Sequence, residues 1–184
     1  LPVFSKRKPA YQLIFCHADA AIRAPKDLAG KRIGSRTYRT ALTVWTRGLL
    51  TERHGVDFSN VQWVLQAKEV FPVHDAKVKI DYVDETKNMA QRLIAGEFDA
   101  LITDISDTKM FENLENNPKI QRLFPDYVQE DLDLYNDTGI FTPVHMIVMS
   151  GKLDRERPEL AGKFFAAFEK AKALAYDDIL SDRS

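Results

Sequence analysis

Apolar and polar positions along this chain fall into short blocks whose period switches repeatedly between that of a strand and that of a helix. Residues 11–16, Tyr-Gln-Leu-Ile-Phe-Cys, form a compact apolar run of strand length. Residues 31–35 make a second strand, punctuated by Gly30 and Gly34. Over residues 40–54, Leu42, Trp45 and Leu49 recur at helical spacing, and Gly55 supplies a C-terminal stop. Residues 61–65, with Trp63, read as the next strand, and Val78, Ile80 and Tyr82 alternate with Lys79 and Asp81 as a short half-exposed one. Residues 88–95 place Met89, Leu93 and Ile94 on one helical face before Gly96, and residues 99–104 form a buried strand ending on Asp104.

The second half is less regular. A polar helix is expected near residues 109–116, followed by a turn-rich stretch around Pro118 and Pro125. Residues 140–149 read as a long strand whose apolar content implies burial on both faces. The last element, residues 158–178, is an amphipathic helix with Leu160, Phe164, Phe168, Ala171 and Leu174 at helical spacing and Pro158 near its first turn. No internal repeat or low-complexity tract interrupts the series.

Strands alternating with helices imply an α/β protein with a mostly parallel sheet flanked by helices. The strands at residues 11–16 and 144–149 flank this unit, as in one lobe of a clam-shell protein kept with its two hinge crossover strands. That reading divides the chain into 1–20 (first hinge strand and its approach), 21–138 (an α/β second lobe) and 139–184 (the return hinge strand and a helix of an incomplete first lobe). The chain does not begin with Met, and its organisation favours a piece of a longer protein over one whose leader was removed.

Composition narrows the function classes. The 184 residues, 45% of them hydrophobic, can bury a core, and 26 basic against 27 acidic side chains give a net charge of −1, with no basic excess to bind nucleic acid. No apolar run reaches the roughly 18 residues of a membrane span. Cys16 is the single cysteine, so no internal disulfide forms; this fits a reducing compartment and equally a periplasmic protein without bridges. Cys16 lies in an apolar strand, where a thiol is inert, and no Gly-x-Ser-x-Gly elbow is present. No metal-ligand spacing occurs, so neither a metal nor another cofactor is expected.

The candidate chemistry concentrates at the turn from the second strand into the first long helix. A helix N-terminus carries unpaired N–H groups and the positive end of the macrodipole, which suits an anion. Arg36, Thr37, Tyr38, Arg39 and Thr40 crowd that turn, and arginine forks pair bidentately with carboxylates, so a small carboxylate ligand is the first expectation. The alternative at this point is a capped helix with solvated arginines. Asp104 lies at a strand C-terminus, where open α/β sheets place ligand contacts, and otherwise begins a loop and caps a helix. His145 interrupts an apolar strand after Pro143, either as a satisfied core histidine or as a group facing a cleft.

The runs DLAGKRIGSRTY and VWTRGLL, the segment RLFPDY at residues 122–127, Tyr135, and TGIF with His145 four residues after Phe141 together resemble the 4,5-dihydroxyphthalate decarboxylase group. That group in turn resembles the type II periplasmic binding proteins. The resemblance runs from Pro2 to Tyr176, with Thr142 intervening where the family pattern places proline directly after phenylalanine. It implies a type II periplasmic-binding-protein-like lobe and a carboxy-lyase acting on a small hydroxylated aromatic acid in an interlobe cleft. Arg36 and Arg39 would hold carboxylates, His145 would donate the proton, and Asp104 or Tyr38 would orient a ring hydroxyl. The competing class is a non-catalytic solute-binding protein with a transporter partner, or a sensor for an organic anion. A cytoplasmic location goes with the first reading and a periplasmic one with the second.

Overall fold

The computed structural model describes residues 1–181 apart from His74, Ala76, Glu85, Lys87 and residues 104–107. It contains two compact units, one of Pro9–Thr142 and one of Leu1–Lys8 with Pro143–Ser184.

The smaller unit begins with β1 (Lys6–Arg7), which pairs antiparallel with β8 (Pro143–His145). Backbone bonds between Leu1 and Ile147 and between Ile147 and Val3 extend the pairing. Two helices follow, α5 (Gly151–Glu156), capped by the Ser150 hydroxyl on the Leu153 N–H, and α6 (Glu159–Ser181). The strand expected over residues 140–149 is thus three residues long. Val144, Ile147 and Met149 are half-buried and Ile140, Phe141, Met146 and Val148 are exposed, Val148 at 77%, so burial on both faces does not hold. An apolar run by itself does not say what covers it.

The larger unit is a six-stranded sheet in the order β5-β4-β3-β6-β2-β7. Its strands are β2 (Ile14–His17), β3 (Arg32–Ser35), β4 (Gln62–Leu65), β5 (Lys79–Tyr82), β6 (Ala100–Ile102) and β7 (Ile120–Arg122). β5, β4, β3 and β6 run parallel, and β2 lies antiparallel between β6 and β7. Residues 11–16, expected as one strand, form a tight 3-10 turn over Tyr11–Leu13 followed by an internal strand of this sheet that continues to His17.

Both faces of the sheet are covered, which explains why its central strands carry apolar residues at successive positions. Ile14, Cys16, Ile33, Trp63, Leu65, Ala100 and Ile102 point to one face, where Leu49 and Leu50 of α1 (Ala41–His54) and Leu134 of α4 (Tyr127–Thr138) pack on them. Phe15, Val64 and Leu101 point to the other, under Met89, Ala90 and Leu93 of α2 (Met89–Ile94) and Leu114 of α3 (Thr108–Glu115). Gly55 ends α1 in the left-handed conformation at φ 63°, its N–H bonded to the carbonyls of Leu50 and Thr51.

Sequence periodicity misses α4. Its composition is acidic, and Leu134 is its one buried residue, so its apolar stripe is too thin to register. Asp126 caps it by accepting the Gln129 N–H. On the same helix, the Asp131 carboxylate accepts the N–H groups of Ala10 and Tyr11, while its Oδ2 is buried without a hydrogen-bond partner among the described residues.

Two outcomes follow from these contacts. A Cβ added at Gly34 in β3 would lie 2.6 Å from Cε2 of the buried Phe98 ring. Gly34→Ala is expected to lower the urea stability by about 1–3 kcal/mol through overpacking. Burial lifts the Asp131 carboxyl to about 6, against its bonds to Ala10 and Tyr11. A folded-state pKa above the unfolded value makes the stability contribution of this group full below about pH 4 and lost as the pH rises through about 6. Asp131→Asn, with no charge to bury, is expected to exceed the parent by about 1 kcal/mol at pH 8, discounted for partial exposure, with the gap closing toward pH 4 in urea titrations.

Candidate functional site

The connection from β3 through α1 to β4 covers one face, and that from β5 through α2 to β6 returns over the other, so β3 and β6 become neighbours at the point where the winding reverses. Open α/β sheets have a crevice at the carboxyl ends of such a strand pair. Here that crevice is a cavity of about 420 Å³. Ser35 and Arg36 reach it from β3, Leu101, Ile102 and Thr103 from β6, and Gln66 and Ala67 from the end of β4. The first turns of α1 and α2 add Thr40, Leu42, Thr43, Asn88 and Met89, and Met110 of α3 completes the wall.

The turn over residues 35–40 is built by hydroxyl groups. Ser35 Oγ lies 2.9 Å from Thr43 Oγ1, which lies 2.6 Å from Thr40 Oγ1. Using each proton once gives a chain in which Thr40 donates to Thr43, Thr43 to Ser35, and Ser35 to the carbonyl of Thr37. Thr40 also caps α1 by accepting the Thr43 N–H at 3.1 Å.

The five turn residues named from sequence go to different partners. Arg36 and Thr40 line the cavity, Arg36 with its side chain exposed. Thr37 contributes its carbonyl to the hydroxyl chain. The Tyr38 ring turns inward, edge-on to Trp63 at 5.2 Å, with the Arg47 guanidinium 3.7 Å from its centroid. Arg39 donates through Nη1 and Nη2 to the carbonyls of Phe71 and Pro72. Burial pulls Arg47 below the usual guanidinium value, with Tyr38 and Glu69 opposing that shift.

Asp104 falls outside the described residues; Thr103, immediately before it, lies in the cavity wall. His145 is on β8 of the smaller unit and is exposed. Cys16 is fully buried, and burial pushes its thiol up to about 12, so it carries no nucleophile. Among the described residues, no group of three His, Cys, Asp or Glu side chains is placed to hold a metal ion, and no helix is long and apolar enough to cross a membrane.

Ser35, Thr43, Gln66, Asn88, Met89, Thr103 and Met110 are lining residues that sequence reasoning passed over. A signal was present for Gln66 and Thr103, which are polar residues directly following buried parallel strands. The RLFPDY segment, by contrast, lies away from the cavity. Arg122 pairs with Glu115 and the Gln12 carbonyl and lies within 4.6–5.2 Å of the ring centroids of Phe15, Phe111 and Tyr127. Leu123 and Phe124 are buried beside it.

A mostly parallel sheet covered by helices on both faces, with a polar-rimmed cavity at its switch point, is the architecture of a periplasmic-binding-protein-like lobe. The profile of the NMT1/THI5-like family matches residues 7–178, and the chain belongs to that family. A protein of Comamonas testosteroni named 4,5-dihydroxyphthalate decarboxylase is 30% identical over 192 aligned residues, covering 100% of this chain and 57% of the relative. A Pseudomonas putida protein of the same name is 30% identical over 133 residues, 68% of this chain and 50% of the relative. The chain thus spans a little over half the length of the curated relatives it matches, and the resemblance read from its motifs extends along its whole length.

Proposed function

We propose that the switch-point cavity binds a small hydroxylated aromatic carboxylic acid of the 4,5-dihydroxyphthalate type, and that the protein is a carboxy-lyase acting on it. The observation that carries this reading is the cavity's composition. Arg36 is the one ionisable side chain among its described lining residues, set against an apolar wall of Leu42, Met89, Leu101, Ile102 and Met110. A lone cation over an apolar surface suits a flat ring bearing a carboxylate, and Gln66 and Thr103 offer polar groups to ring hydroxyls.

Loss of carbon dioxide breaks the bond from ring to carboxyl carbon, leaves its electron pair on the ring carbon, and consumes one proton there. A cation on the departing carboxylate would stabilise the ground state more than the transition state, in which that charge has moved into the ring. Arg36 is therefore assigned to the retained carboxylate. The proton comes from His145 or Asp104, the candidates the sequence supplies; imidazole is the side chain suited by type to proton exchange near neutral pH. Thr37, Tyr38, Arg39 and Thr40 shape and hold the turn that presents Arg36.

The second reading, a solute-binding protein of a transporter or a sensor, draws support from the same lining. Apart from Arg36 the described wall consists of neutral side chains, which bind a carboxylate without transferring a proton to carbon. Both readings are tested by incubating the protein with 4,5-dihydroxyphthalate and following carbon dioxide by headspace mass spectrometry beside calorimetric binding. Release is expected. Arg36→Gln is expected to raise KM roughly ten- to a hundredfold, as loss of a charged hydrogen bond does. Release lost in His145→Ala with binding intact assigns the proton to that imidazole, and release that persists assigns it to Asp104. Saturable binding with no release selects the solute-binding protein, and no binding at all sinks both.

A further inference from the structure

Glu69 offers the 35–40 turn a carboxylate of its own. Its Oε1 accepts the N–H of Tyr38 and, at 3.2 Å, the N–H of Arg39. Consecutive amides converging on one anionic oxygen form a small anion-binding concavity. This one sits between Arg36 and Thr40, both of which line the cavity. The peptide joining Tyr38 to Arg39 is held at both ends, its carbonyl by Arg47 and its N–H by Glu69. The amides are thereby fixed toward an anion before any ligand contributes one.

Glu69 belongs to a strap, residues 66–72, that follows β4 and forms part of the cavity wall through Gln66 and Ala67. Its first residues continue the sheet's bonding, Gln66 N–H to the Ser35 carbonyl and Ala67 N–H to the Arg36 carbonyl. Beyond them the attachments to the turn are polar, namely the Glu69 carboxylate and the Arg39 guanidinium, which lies 3.3 Å and 3.2 Å from the carbonyls of Phe71 and Pro72. Val70 and Phe71 are 88% and 71% exposed, so apolar burial does little to anchor this end. A segment held by exposed polar bonds opens at a small fraction of the cost of unfolding.

We propose that Glu69 is an intramolecular competitor for the ligand's carboxylate: it occupies the amides of Tyr38 and Arg39, and a ligand carboxylate must displace it, freeing the strap, to reach them. The inference rests on the reading of the cavity as a carboxylate site. It makes apparent affinity the product of two equilibria, because only the fraction of molecules with Glu69 released presents the whole turn. Weak carboxylates are excluded, and a ligand that also engages Arg36 is favoured.

The test is calorimetric titration of the whole chain with phthalate. Glu69→Gln keeps the side-chain shape and removes the charge, and Glu69→Ala removes both. Each is expected to bind phthalate about tenfold more tightly than the parent, the gain from removing a competing state populated about ten to one. Arg36→Gln is expected to weaken phthalate in the parent and in Glu69→Gln alike. Binding by the two Glu69 variants no tighter than the parent's, with Arg36→Gln still weakening it, overturns the competitor and leaves the carboxylate site standing. Phthalate binding indifferent to Arg36→Gln, or none in any form, overturns the site and the competitor together.

Discussion

Everything at the cavity depends on β3 and β6 lying side by side. Their pairing, Ile33 to Ala100, Gly34 to Leu101 and Ser35 to Ile102, brings together two strand ends whose connections leave in opposite directions. Open α/β sheets have their crevice at such a pair of strand ends. The pair is fixed from both faces. Phe98, just ahead of β6, lies against the bare Cα of Gly34 on one side, while Ile33 and Ala100 join Trp63 and Leu50 on the other. A side chain at position 34 would push against an aromatic ring with no room to move, and Ser35 and Arg36 would shift with the strand that carries them.

From that fixed base the turn is organised locally. Ser35, Thr40 and Thr43 settle its shape through hydroxyl groups whose bonded partners lie only two to eight residues away, the Thr37 carbonyl among them. Its charged residues are then divided by what lies nearby. Arg47 is drawn under Tyr38 and Trp63, Arg39 is taken by the strap's carbonyls, and Arg36 faces the cavity. Three arginines within twelve positions thus take three different placements, one stacked on aromatic rings, one donating to carbonyls and one in the cavity wall.

A second cluster in the larger unit shows how polar groups support the fold outside the cavity lining. Tyr11 meets His54 through its hydroxyl at 3.2 Å and packs edge-on to Phe124, whose ring also tilts against His54. Burial holds His54 below its ordinary pKa, although Glu130 pulls the other way, and burial holds the Asp131 carboxyl above its own. These opposed shifts come from packing one acidic helix, α4, onto the turn that begins the unit. Leu123 and Phe124 of the RLFPDY segment belong to the same packing, so these two residues serve the fold.

The sequence by itself determined the α/β class, a strand over residues 31–35, the helix ending at Gly55, the inert cysteine and the family. These follow from short-range pattern: period-two and period-3.6 burial, a glycine where φ is positive, a thiol inside an apolar run, and motifs in a set order. Tertiary structure alone decided that residues 14–17 pair inside the sheet between β6 and β7, that α4 is a helix, and that the 143–145 strand is short. It also decided which turn residues face the cavity. Each depends on a partner far away in the chain: β6 and β7 for β2, the Tyr11 and Phe124 cluster for α4, and the strap for Arg39. Local periodicity reports how a segment would bury itself, whereas its position and the direction of its side chains are set by what arrives to cover it.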